Sequence, residues 1–246
     1  HRQHVGLVFE PMYMNMRQVV YKHGRNTGIS LDKIQRYARH IFQALACLNE
    51  VGIVHADVKP DNILVSDDLQ IAKLCDFGCA FDEDEPRRDT TTYLVSRFYR
   101  APEIILGLPH DYIGKSIDIW ALAACIFELY AGRVMFPGKT NNDMLLYIMK
   151  TTGRFPEHII TTHCAMYPDV RNKEPHFDVT TLTFNHLCPP STNRPRASTW
   201  GGVSTSNGNQ TARRKLQVKE KMLRRTIQDR MPEYTVFGML KTCTRR

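Results

Sequence analysis

One short stretch, His55-Ala56-Asp57-Val58-Lys59-Pro60-Asp61-Asn62, holds a carboxylate, an ammonium two residues on and a carboxamide three further on. Phosphoryl transfer needs little covalent help from a protein. It needs a group to orient the attacking hydroxyl, cations to spread the phosphate charge, and ligands to hold those cations. Asp57 suits the first role, as acceptor of the hydroxyl proton. Lys59 suits the second, and Asn62 offers a side-chain oxygen to Mg²⁺. Fourteen residues beyond Asn62 stands Asp76-Phe77-Gly78, a carboxylate beside a flexible glycine. It suits a second contact to Mg²⁺, which prefers one or two carboxylates together with phosphate oxygens and water.

Elements that must position these groups are legible around them. Leu31, Ile34, Ala38, Ile41, Leu45 and Leu48 recur at three- and four-residue steps, which is one face of a helix. Ser30 reads as its N-cap and Gly52 as its C-terminal stop. Asn62–Val65 and Ile71–Cys75 are short, apolar and separated by a polar turn, which predicts a hairpin. Ile117–Gly132 is apolar nearly all round and predicts a helix at the centre of a core. A further helix is expected over 142–152, ended by Gly153. Leu7–Glu10 reads as a short buried strand, followed by polar turns up to Ser30. Residues 82–92 read as a loop.

The composition bounds the rest. The chain has 246 residues, 42% of them hydrophobic, enough for a core. No run of 18 uncharged apolar residues occurs, so no transmembrane helix is expected. The first residue is His1, and no signal-peptide pattern comes after it. The seven cysteines are scattered without a C-x-x-C pair, which reads as reduced thiols rather than a zinc site. From Ser191 onward there are 13 Lys and Arg against 3 Asp and Glu, so the net charge of +8 comes from the tail. Residues 189–211 are rich in Pro, Ser, Thr, Gly and Asn, a linker composition. The expected division is a folded domain over 1–187 and a basic low-complexity tail over 188–246.

Taken together, "HADVKPDNILV", "KLCDFG" and "YLVSRFYRAPEIILG" resemble the catalytic loop, metal loop and activation segment of protein kinases, in that family's order and spacing. "SRFYRAPE" and "FPGKTNN" are similar to the CMGC group, and Ala56 within "HAD" to its splicing-associated, pre-mRNA-processing branch. The resemblance implies an α+β, mainly α-helical fold, a kinase-like C-terminal lobe lacking most of the N-terminal lobe. It implies ATP and Mg²⁺ as cofactors, Ser/Thr side chains of proteins as substrates, spliceosomal proteins as partners and the nucleus as the location. By the same resemblance Asp57, Lys59 and Asn62 are catalytic, and Asn62 and Asp76 ligate the metal. Phe9 is the gatekeeper, Glu10 to Met12 the hinge that holds adenine, Leu64 the floor of that pocket, and Cys75 the residue before the metal loop. Asp118 is expected to accept hydrogen bonds from the catalytic-loop backbone, and Glu103 to pair with an arginine late in the lobe. Tyr93 is expected to be phosphorylated and paired by Arg97 and Arg100.

Some parts of that family's pattern differ or are missing. Ala56 stands where many kinases have an arginine, as it does in the branch named. The stretch before the central helix is longer than the family pattern. No G-x-G-x-x-G occurs, and Lys73 runs straight into the metal loop, so it is not the strand lysine that contacts the phosphates. Those parts are expected before His1, and this stretch alone is expected to transfer phosphate at a negligible rate. The alternative reading is an inactive lobe that serves as a binding module. The basic tail reads as a solvated extension, with nucleic-acid binding as its alternative.

Overall fold

The computed structural model describes residues 8–83, 96–166 and 175–185, in which helices outweigh strands. In chain order these are β1 (Met14–Asn15), α1 (Met16–His23), α2 (Leu31–Glu50), β2 (Ile53–Val54), β3 (Ile63–Val65), β4 (Ala72–Leu74), β5 (Phe81–Asp82), α3 (Pro102–Ile105), α4 (Ser116–Ala131), α5 (Asn141–Thr152) and α6 (Glu157–Met166). Short 3-10 turns at Pro60–Asn62, Arg97–Tyr99 and His110–Tyr112 lie between them.

A helix without a polar face has to be surrounded, and α4 is. Trp120, Ala123 and Phe127 face an apolar cluster built with α3, α5 and α6. Ala121, Leu122, Cys125 and Leu129 face a second cluster built with α1, α2 and β3. Trp120 is fully buried and stacks on Phe136 at 5.9 Å. The C-terminal carbonyls of α4 are capped by the α1–α2 loop: Ile29 N–H donates to the Leu129 carbonyl at 2.8 Å and Asn26 N–H to the Gly132 carbonyl at 3.2 Å. Gly28, at φ 76°, makes this approach possible, because a Cβ there would lie 1.8 Å from the Tyr130 carbonyl oxygen.

The expected hairpin is β3–β4, antiparallel with Leu64 opposite Lys73, and β1 adds to its other edge. β2 and β5 form a separate two-stranded ribbon. The amphipathic helix is α2, with Ile34, Tyr37, Ile41 and Leu45 buried, although Ser30 makes no side-chain cap.

Two expectations differ. Val8–Glu10 forms no strand. A strand needs a ladder partner, and among the described residues none pairs with it; Val8 is 99% exposed. The polar stretch before Ser30 holds a helix, α1, started by a capping box in which Asn15 and Gln18 satisfy each other's backbone N–H. That N-x-x-Q spacing was readable in the sequence. Among the described residues no helix is long and apolar enough to cross a membrane.

On the far side of α4, His163 on α6 stacks on buried His176 at 5.5 Å, and burial pushes His176 down to about 3. An unfolded chain takes up a proton near the ordinary value of 6.5, which the folded one refuses. This group's share of stability is therefore complete above about pH 6.5 and is lost as the pH falls towards 3, at about 1.4 kcal/mol per pH unit. The melting temperature is expected to fall between pH 7 and pH 5, and His176→Gln to flatten that slope; an unchanged slope in a calorimetric pH series would rule this out.

Candidate active site

The loop after β2 is shaped by α4. Asp118, in its first turn, accepts the His55 N–H on Oδ2 at 2.7 Å and the Ala56 N–H on Oδ1 at 2.9 Å. These bonds hold Ala56 at φ 61°, a left-handed conformation unfavourable for a residue with a Cβ. Burial pushes the Asp118 carboxyl up and the two N–H donors pull against it.

The His55 ring then orders the loop beyond it. Its Nδ1 accepts the Asp57 N–H at 3.2 Å, so Nε2 carries the proton and donates to the Cys75 carbonyl at 3.1 Å. Phe77 packs edge-on against the same ring at 5.0 Å. One imidazole thus ties the loop of Asp57 to that of Asp76.

Asp57 is buried, and its carboxylate is held on three sides. Lys59 Nζ donates to Oδ2 at 2.6 Å and Asn62 Nδ2 to the same oxygen at 2.9 Å. Ser96 Oγ donates to Oδ1 at 3.2 Å. Asn62 Nδ2 also donates to the Asp57 carbonyl at 2.9 Å. With its nitrogen turned to Asp57, the Asn62 Oδ1 has no hydrogen-bond partner among the described residues and is placed to take another ligand. Asp76, exposed and at φ 68°, engages one oxygen with the Gly78 N–H at 3.2 Å, and among the described residues the other oxygen has no hydrogen-bond donor. Asn62 and Asp76 are linked through the Cys75 N–H, which donates to the Asn62 carbonyl at 2.9 Å. Two hard oxygen donors suit Mg²⁺ completed by phosphate and water. Among the described residues there is no cluster of three or more His, Cys, Asp or Glu that would make an all-protein cage.

The remaining sequence-derived positions are spread more widely. Phe9 is 78% exposed. Glu10, also exposed, pairs with Lys73 Nζ at 2.6 Å, and Met12 is half-buried. Leu64 is half-buried on β3. The Cys75 thiol is pushed up by burial and by Asp76, and reaches the Asn62 carbonyl at 3.4 Å. Arg97 donates to the Lys139 carbonyl at 2.7 Å, and buried Arg100 donates to Asn141 Oδ1 at 2.8 Å, so both address the start of α5. Tyr93 and the basic tail lie outside the described residues.

Glu103 lines a cleft of about 750 Å³ with His110, Lys115 and Ser116, in the lengthened stretch before α4. Burial pushes its carboxyl up to about 7, against hydrogen bonds from its own backbone N–H and from Ser116. Among the described residues no arginine pairs with it, and the expected partner late in the lobe is not found there.

Sequence reasoning missed Ser96 and a second ionic group. Arg17 on α1 forks onto Asp61, at 3.0 Å from Nη2 and 3.5 Å from Nε, and pairs with buried Glu128 on α4. Tyr99 donates to Glu128 at 2.6 Å and accepts from Arg17 at 2.6 Å. Burial and Glu128 push the Tyr99 phenol well up, so it keeps its proton. No local spacing announces these contacts.

Residues 1–231 match the protein kinase domain family. The chain belongs to that family. This kinase chain is 44% identical over 160 residues to the serine/threonine-protein kinase prp4 of Schizosaccharomyces pombe, covering 65% of this chain and 32% of that protein. It is 45% identical over 160 residues to the serine/threonine-protein kinase prpf4B of Dictyostelium discoideum, covering 65% and 19%. It is 38% identical over 161 residues to the dual specificity protein kinase YAK1 of Saccharomyces cerevisiae, again over 19% of that protein. The chain thus spans between 17% and 32% of the length of these and similar curated relatives.

Asp118→Ala leaves two buried N–H groups unpaired and is expected to cost about 2–5 kcal/mol, read by denaturant unfolding; a loss below the error of the method would show that the loop keeps its shape unaided. Glu103 is protonated below about pH 7, so its burial cost grows as the pH rises through the ordinary carboxylate range to that value. Glu103→Gln is therefore expected to raise the melting temperature at pH 8 and to leave it unchanged at pH 4, and equal effects at both would contradict the shift.

Proposed function

We propose that the protein carrying this chain is an ATP-dependent protein serine/threonine kinase of the CMGC group, acting on protein substrates in pre-mRNA splicing in the nucleus. The observation that supports it most is the Asp57 carboxylate, buried and fixed by Lys59, Asn62 and Ser96, beside the loop of Asp76. The similarity to the prp4-type kinases supports the group and, more distantly, the splicing role.

Asp57 orients the hydroxyl of a substrate Ser or Thr and takes its proton as the oxygen attacks the γ-phosphorus of ATP. The new O–P bond forms as the bond to the β-phosphate oxygen breaks, and ADP departs with that electron pair. Lys59, already 2.6 Å from Asp57, neutralises charge on the transferred group. Asn62 and Asp76 would hold Mg²⁺, which would supply positive charge to spread that of the phosphates. Ser96 and Asn62 keep Asp57 from rotating away. The backbone of Glu10 to Met12 holds adenine, with Phe9 as gatekeeper and Leu64 as the floor of that pocket; Cys75 adjoins the metal loop, and Arg97 and Arg100 receive phosphorylated Tyr93.

In the whole protein purified from its source organism's coding sequence, Asp57→Asn is expected to lower kcat about 10²–10⁴-fold. Asp76→Asn should weaken the dependence on Mg²⁺ concentration along with the rate. A wild-type rate in Asp57→Asn overturns the reading, as would phosphate appearing on no Ser or Thr. Unchanged intron removal in cells that carry only Asp57→Asn would sink the splicing role alone.

A further inference from the structure

Four segments meet at one guanidinium. Arg17 lies in the first turn of α1, just past the stretch that comes after Glu10–Met12. Its fork reaches Asp61, in the turn between Lys59 and Asn62. Its other nitrogen pairs with Glu128 in the last turns of α4, and Tyr99 bridges the two. The side chains of Arg17 and Asp61 are 36% and 44% exposed, while that of Glu128 is only 4% exposed. The geometry therefore has a buried foundation and an exposed grip. If the network served only to neutralise Glu128, Arg17 and Tyr99 would suffice. The bidentate contact to Asp61 is surplus to that task, and a half-exposed ion pair adds little stability. What it does add is a fixed position for the turn whose next residue, Asn62, holds both the carbonyl and the carboxylate of Asp57.

We infer that Arg17 is a positioning residue for phosphoryl transfer: braced on Glu128 and Tyr99, it grips Asp61 and so fixes the turn that carries Asn62 and, through it, Asp57. The inference rests on Asp57 being the base. Arg17 is assigned no contact with the transferred phosphate or the substrate hydroxyl. It sets where Asn62 and Asp57 stand, and it joins that turn to the segment leaving the adenine-holding stretch. A lysine cannot replace it, because a single ammonium does not fork.

The decisive variant is Asp61→Ala in the whole protein, which leaves the pairing of Arg17 with buried Glu128 intact. Steady-state kinetics are expected to show kcat falling by about tenfold to 10²-fold, with KM for ATP and the melting temperature unchanged. Arg17→Lys should lose most of the same kcat, and the double variant Arg17→Lys/Asp61→Ala should be no slower than the worse single one. Arg17→Met adds a burial penalty on Glu128; should it fail to fold, Asp61→Ala still decides. A wild-type kcat in Asp61→Ala overturns the inference, as does a rise in KM with kcat unchanged. Asp57→Asn is run beside them. If it too keeps the wild-type rate, the functional reading has failed; if it is inactive while Asp61→Ala is not, only the role of Arg17 has.

Discussion

The site depends on one buried carboxylate. Asp118 accepts two consecutive backbone N–H groups, those of His55 and Ala56, at 2.7 and 2.9 Å. Consecutive donors converge on one acceptor only when the backbone turns sharply, and here Ala56 adopts φ 61° to do so. A left-handed alanine costs about 1 kcal/mol or more. Two hydrogen bonds to a charged acceptor offset that. Everything downstream inherits the turn. It directs the His55 ring so that one nitrogen takes the Asp57 N–H and the other reaches the Cys75 carbonyl. Asp57 and Asp76 belong to different segments, yet both are placed by the same imidazole.

The central helix grips this loop twice. Asp118 and Glu128 stand ten residues apart on α4, about 15 Å along its axis. The first holds the beginning of the loop directly. The second holds its end through Arg17 and Asp61. Their settings differ in a way that explains their partners. Asp118 is near the N-terminus of the helix, where the macrodipole favours a negative charge, and backbone N–H groups are enough for it. Glu128 lies near the C-terminus, where the dipole opposes it, and it takes a full positive charge and a phenol proton. The apolar rest of α4 is what makes both ends rigid, since its side chains are locked between two packed clusters.

The sequence made the local machinery legible and left the long-range contacts hidden. Asp57, Lys59 and Asn62 lie within six residues, so their spacing alone suggested a shared task, and the structure brings them together. The β3–β4 hairpin, α2, α4 and α5 arise from periodicity and from Gly132 and Gly153 at their ends. Arg17 is 44 residues from Asp61 and 111 from Glu128, and no pattern in either neighbourhood points to the other. Ser96 reaches Asp57 across 39 residues and was invisible for the same reason. The helix α1 was missed because its eight residues are too few for periodicity to register; only its capping box marked it. Residues 8–10 have a strand-like sequence but no ladder partner among the described residues, and composition alone does not report that.

Glu103 and Asp118 stand fifteen residues apart, on α3 and α4, and meet burial with different partners. Both carboxyls are pushed up by desolvation. Asp118 is compensated in part by the N–H donors of His55 and Ala56, which the fold holds in place. Glu103 is met by its own backbone N–H and by Ser116, with a cleft of about 750 Å³ in front of it, and burial outweighs both donors. A carboxylate whose desolvation outweighs its donors takes a proton rather than bear the cost of its charge. At neutral pH Glu103 therefore sits near the midpoint of its own titration, and the charge at the foot of α3 is set by the solution. Asp118 fixes geometry because its donors are permanent. The donors at Glu103 do not offset its burial, so its contribution to stability varies with pH.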